Sequence, residues 1–240
     1  MSNDWWNILK TLNRDGLVII QETITTLDRD TASILEPNAP TPEERVEAIE
    51  KASRENIPVV IRFQPLIPGY SENEAREIFK VARSIGAKHI IIEFLRCPTD
   101  EIETYKSLSI DNTPYEVNWK SYSISEDSRL VTPPTEVKAK ILERIVYEAK
   151  AEGVKIALCK EGLFNFDMIN ECCGIKYMRN TKLRLTLKEF WIKALNKPIE
   201  INEVINEYAG DDQYLVTLSK DFQKYPRLIR KPIKHHKKHY

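Results

Sequence analysis

Three runs rich in β-branched residues, "LVIIQETIT", "IPVVIRF" and "HIIIEFLR", constrain this chain more than any other feature. They recur at intervals of about 30–40 residues, each separated from the next by one helix-forming segment, which is the signature of βαβ units. Crossovers between parallel strands are right-handed almost without exception, so the three strands are expected to lie parallel and adjacent, as in a barrel segment or an open sheet. Thr23, Arg62 and Glu93 fall near the strand ends, the edge at which α/β folds carry their sites.

The intervening segments carry helix signals. Trp5 to Asn13 is amphipathic and stops at Asp15-Gly16. In "LEPNAPTPEERVEAI", Thr41, Pro42 and Glu44 form a T-x-x-E capping box with proline at the first helical position. Glu36 and Arg45 are expected to pair across the proline corner before that helix and fix the turn. Ser71 with Glu74 reads as a second capping box, opening a helix that Gly86 stops. From Pro98 to Thr132 the chain is polar and irregular, a loop or insertion. Pro133-Pro134 precedes a helix to Ala151, and "VKIALCKEG" reads as a fourth strand. Short helices follow, and then a basic tail.

The 36 basic and 36 acidic residues cancel, but not evenly. Lys224, Arg227, Arg230, Lys231, Lys234, Lys237 and Lys238 lie in a tail without an acidic residue, leaving 29 against 36, or −7, elsewhere. Phosphate backbones attract such segments through counterion release, and the flanking tyrosines offer stacking surfaces. The alternative is a solvated terminus that aids solubility. The sequence has no apolar run of ~18 residues, so no membrane span or membrane partner is expected. "MSNDWWNILK" lacks the pattern of a signal peptide, and a cytoplasmic protein with reduced thiols is expected.

The four cysteines, Cys97, Cys159, Cys172 and Cys173, include no CxxC pair. Cys172 and Cys173 are adjacent, and neighbouring residues in extended backbone point in opposite directions. Cys159, Cys172 and Cys173 are the candidate ligands of a metal ion or auxiliary cluster, with buried apolar thiols as the plainer reading. His89 precedes a strand and is expected to be structural. Trp5, Trp6, Phe190 and Trp191 are expected to be core or interface anchors.

Together, "VIIQETITTLD", "LEPNAPTPEERVEAI" and "IPVVIRFQPLIPG" resemble the second half of radical S-adenosylmethionine (SAM) proteins of the spore photoproduct lyase-like, or DNA repair photolyase, type. "ALCKEGL" and "CCG" are similar to the C-terminal part of archaeal members. The resemblance runs from about Trp5 to Gly174. It implies an α/β fold, a partial (half) (β/α) barrel over residues 1–97 holding strands four to six of the family barrel. Residues 98–180 would be an insertion and a helix-strand-Cys-loop extension, 181–223 C-terminal helices and 224–240 the tail. It also implies that Thr23 and Arg62 line a SAM cavity, and that Ile67, Gly69 and Glu72 match an adenine-side I-x-G-x-x-E motif. Pro65 stands where that motif begins with glycine.

Radical SAM chemistry needs a CxxxCxxC loop for a [4Fe–4S] cluster, and the sequence has none. The chain is therefore expected to carry no catalytic residue of its own and to bind SAM only with a complementing chain. Three readings follow. It is one half of a split radical SAM protein, acting with a second chain that covers the open barrel edge. It is a truncated, non-catalytic nucleic-acid-binding or protein-interaction module using the tail. Or it is a self-standing homo-oligomer with no nucleotide site, a second copy covering that edge.

Overall fold

A computed structural model describes residues 3–108, 117–122, 129–158, 160–169, 172–181 and 203. The chain divides into two compact units, Met1–Arg179 and Asn180–Tyr240. Cys159, Phe190, Trp191 and the seven cationic residues from Lys224 to Lys238 lie outside the described residues.

The first unit begins with helix α1 (Asn3–Arg14), strand β1 (Ile20–Thr23), helices α2 (Arg29–Leu35) and α3 (Pro42–Arg54), and strand β2 (Val59–Leu66). Helix α4 (Ser71–Ser84) and strand β3 (Ile90–Phe94) follow. Next come β4 (Cys97–Pro98), α5 (Ile102–Lys106), β5 (Lys120–Ser121) and β6 (Leu130–Thr132). Helix α6 (Thr135–Ala151), β7 (Ile156–Ala157) and two 3-10 turns complete it. Strands β1, β2, β3 and β7 form one parallel sheet in that order. The expected adjacency of the three repeating strands is thus observed, and "VKIALCKEG" supplies the fourth.

The strand order follows the chain without reversal. Right-handed crossovers then carry the helices to the same face of the sheet. Val59, Ile61 and Phe63 of β2 and Ile90, Ile92 and Phe94 of β3 point to that face. They join Ile49 and Ala52 of α3, Ile78 and Phe79 of α4, and Ile141, Leu142 and Ile145 of α6 in one core. Residues of alternate parity emerge on the opposite face: Gln21 and Thr23, Val60, Arg62 and Gln64, Ile91 and Glu93. Trp6 joins the core with Lys51 4.4 Å above its ring, whereas Trp5 is exposed.

Residues 98–132, read as a loop or insertion, contain a small antiparallel sheet of order β4-β6-β5. It rests at the C-terminal ends of β2 and β3, where Ile67, Leu95 and Cys97 form a second apolar cluster with Tyr105, Trp119 and Val131. Among the described residues, no helix is long and apolar enough to cross a membrane.

Two local readings change. The box at Thr41 and Glu44 forms in both directions, with hydrogen bonds of 2.8 and 3.3 Å. The one at Ser71 and Glu74 does not. Ser71 lies inside α4 and its hydroxyl accepts from the Ile67 amide at 2.8 Å, while Glu74 is drawn to Thr26 Oγ1 at 2.9 Å. The strand run "LVIIQETIT" also pairs over less of its length than its composition implies, from Ile20 to Thr23. Asp28 caps α2 instead, accepting from the Thr31 amide at 2.7 Å.

Candidate functional site at the ends of the parallel strands

The proline corner closes onto β1. Arg45, buried on α3, donates to the carbonyls of Pro40 (3.0 Å) and Thr23 (2.9 Å) and meets Glu36 at 3.1 Å. The expected Glu36–Arg45 pair is present, and its wider role is to hold the backbone at the C-terminal end of β1. Thr23 and Arg62 are register partners in neighbouring strands, so their side chains emerge side by side on the face opposite the core helices.

Arg62 reaches across that face. Its Nη1 donates to Gln21 at 3.2 Å, and its Nη2 donates to Gln64 at 2.9 Å and lies 3.7 Å from Glu93. Glu93 also pairs with Arg96 and with Lys160, the latter at 3.0 Å. Behind them stands Glu161, whose side chain is fully buried. It accepts from Arg96 Nη2 (3.1 Å), Lys138 Nζ (2.7 Å) and the Phe94 amide (3.0 Å). Four cations thus meet two carboxylates, and the Nε atoms of Arg62 and Arg96 are buried without a hydrogen-bond partner. The excess of positive charge suits an anionic group such as a carboxylate or phosphate.

The other residues of the expected SAM motif form a separate, local structure. Gly69 adopts φ +84°. Its amide donates to both carboxylate oxygens of buried Glu72, at 2.9 and 3.0 Å. Ile67 is buried in the second apolar cluster. These three residues build the β2–α4 turn, while Thr23 and Arg62 stand on the sheet face opposite the core helices. Arg96, Lys138 and Lys160 carry no signal in the sequence as site residues, and Glu161 stands out there only as a neighbour of Cys159. Glu161 stands 65 residues from Arg96 and 23 from Lys138, and no local spacing announces such a network.

The cysteine turn lies on the same face, nearer the strand beginnings, and leads into the 3-10 turn Ile175–Tyr177. Gln21 Nε2 donates to the Cys173 carbonyl and His89 Nε2 to the Cys172 carbonyl, both at 2.7 Å. Because a carbonyl only accepts, His89 carries its proton on Nε2, and Nδ1 accepts from the Tyr177 hydroxyl at 3.3 Å. Burial pushes the His89 pKa below its ordinary value, which suits the structural role expected of it. The thiols of Cys172 and Cys173 sit 3.6 Å apart. This corrects the expectation that adjacent side chains diverge: the backbone bends here and turns both to one side. Cys97 stands apart in its apolar cluster, where burial raises its thiol pKa and keeps it protonated.

A [4Fe–4S] cluster of the radical SAM type does not fit this chain. The sequence has no CxxxCxxC, and among the described residues no group of three His, Cys, Asp or Glu side chains can hold a metal ion. The Thr23 hydroxyl and the Arg62 guanidinium match in kind the hydroxyl and carboxylate groups of SAM, the guanidinium being already engaged by Gln21, Gln64 and Glu93.

Comparison with known proteins adds one relative. A segment of the chain is 33% identical over 99 residues to "Uncharacterized protein ORF301" of Acidianus two-tailed virus, covering 38% of this chain and 32% of the viral protein. The chain thus spans about a third of the length of that relative. No family model and no solved structure matches the chain.

Proposed function

We propose that this chain is the C-terminal half of a radical-SAM-like (β/α) barrel related to the DNA repair photolyases. In this reading it works with a second chain that carries the cluster and covers the β1 edge, in a cytoplasmic setting. The observation that carries it is a sheet whose strands follow chain order, with its core helices on one face and Thr23 beside Arg62 on the other. A barrel requires both features, because its helices stay outside and its ligand sits at the C-terminal strand ends.

Within the complex, Thr23 offers a hydroxyl to the ribose or methionine portion of SAM. Arg62 offers its guanidinium to the carboxylate. Gly69 and Glu72 set the β2–α4 turn against which Ile67 packs, on the adenine side. When bound against a cluster, SAM supplies radical chemistry; this chain's residues position the ligand and exclude water from one side.

The test is equilibrium dialysis of labelled SAM against the complex isolated from its host and against the chain alone. Retention by the complex, weakened about tenfold or more by Arg62→Met, supports the reading. Equal retention by the variant contradicts it. If the complex does not form and nucleic acid binds in a salt-sensitive way that is lost on deleting residues 224–240, the chain is instead a binding module.

A further inference from the structure

We propose that the charged cluster at the C-terminal ends of β2 and β3 binds a dianionic phosphate group, with Lys160 and Arg62 as its direct donors. Arg62, Arg96, Lys138 and Lys160 share only Glu93 and Glu161 as carboxylate partners among the described residues, which leaves two positive charges unmatched. Part of the cluster is sequestered from water: the side chains of Lys138 and Arg96 are 9% and 15% exposed, and that of Glu161 is fully buried. Charge held away from water is costly unless opposite charge lies beside it. The rings of Phe94 and Tyr122, 5.4 Å from Lys138 and 4.3 Å from Arg96, ease that cost but carry no formal charge.

The unmatched charge is accessible at one place. Arg62, 28% exposed, and Lys160, 56% exposed, both meet the same oxygen of Glu93, at 3.7 and 3.0 Å. The Arg62 contact is longer than a hydrogen bond, and the Lys160 ammonium has three donor hydrogens. Two cations converging on one point are bridged by two oxygens of a tetrahedral anion. SAM does not match the excess, because its one carboxylate is set against an ammonium and a sulfonium. A phosphate monoester brings about two negative charges, which is what the four cations and two carboxylates leave unbalanced. Neither side of that balance depends on SAM. In a complex that also holds SAM, the phosphate and the SAM carboxylate would be neighbours across Arg62.

The experiment is isothermal titration calorimetry of the full chain at constant ionic strength, with inorganic phosphate, phenyl phosphate and dimethyl phosphate as probes. One phosphate per chain is expected. Phenyl phosphate binding as tightly as inorganic phosphate would support a site for a phosphate monoester, and binding of inorganic phosphate alone would support a site for the free ion. Dimethyl phosphate, a monoanion, should bind at least ~10-fold more weakly than either dianion that binds. Lys160→Met, at an exposed position, should weaken phosphate binding at least ~10-fold, while Lys80→Gln, which removes the same charge from α4, should change nothing. Glu93→Gln should tighten binding, because it removes the carboxylate that competes for Arg62 and Lys160. No binding by the wild type would overturn the proposal, as would equal binding of dimethyl phosphate. Undiminished binding by Lys160→Met would assign the phosphate to the cations of the tail and overturn it too. Retention of SAM by the complex is read separately, so failure of one reading leaves the other standing.

Discussion

Arg45 donates from α3 to the carbonyl of Thr23, the last residue of β1, at 2.9 Å, while its other amino group meets Glu36 at 3.1 Å. One buried guanidinium therefore joins the proline corner, the third helix and the edge strand. Removing it leaves a partly buried carboxylate and two carbonyls without their donor. Arg45→Met is expected to cost about 2–4 kcal/mol in urea unfolding. Glu36→Gln, nearer solvent, should cost about 1 kcal/mol or less.

Glu161 is the keystone of the charged cluster at the strand ends, with Lys138, Arg96 and the Phe94 amide on its two oxygens. Glu161→Ala strands two cations in a largely buried setting. A loss of about 3–5 kcal/mol is expected. Unfolding followed by tryptophan fluorescence and by circular dichroism would measure it, and a loss under 1 kcal/mol would show that the network is dispensable.

Glu74 and His89 give stability two pH dependences of opposite sign. Burial raises the Glu74 pKa above 4.5, partly offset by the hydrogen bond from Thr26. Between 4.5 and its folded value, the folded state holds more protons than the unfolded one, so stability falls as pH rises through that window. Glu74→Gln keeps an acceptor for Thr26 and should flatten this slope, making the variant at least as stable as wild type at pH 7.

For His89 the folded pKa is depressed below 6.5, chiefly by burial. As pH falls below 6.5 the unfolded state takes up a proton first, and stability is lost until the folded value is reached. His89→Gln should remove this component from a plot of unfolding free energy between pH 7 and 5. An unchanged slope would mean that the ring titrates normally.

Gly174→Ala combines a left-handed backbone with a collision against Ile19 and crowding of Val60. About 2–4 kcal/mol of destabilisation is expected from strain and overpacking together. Adding Ile19→Ala should recover the collision but not the backbone cost, leaving about 1–2 kcal/mol.

The sequence was most legible where the determining interactions are local. Thr41 and Glu44 stand three residues apart and need only each other, so their capping box forms as read. Ser71 and Glu74 have the same spacing, yet Thr26, 48 residues away from Glu74, competes successfully for its carboxylate. The parallel strand order was legible because βαβ handedness restricts the alternatives. The Glu161 network was not, since its members meet only after the chain has folded. Asp28 carried a local signal for α2, since an aspartate just before a short helix is a favoured N-cap. Cys172 and Cys173 show the limit of an alternation argument, which applies to extended backbone and not to a bend.

The central proposal is that the four-stranded parallel sheet is half of a barrel, completed by a second, cluster-bearing chain. The most direct measurement is native mass spectrometry of the untagged protein from its own host, with iron and sulfide assayed on the same sample. The account predicts a hetero-complex whose second chain carries the iron and whose formation is weakened by Arg45→Met, which loosens the β1 edge. An iron-free monomer or homo-oligomer would contradict it.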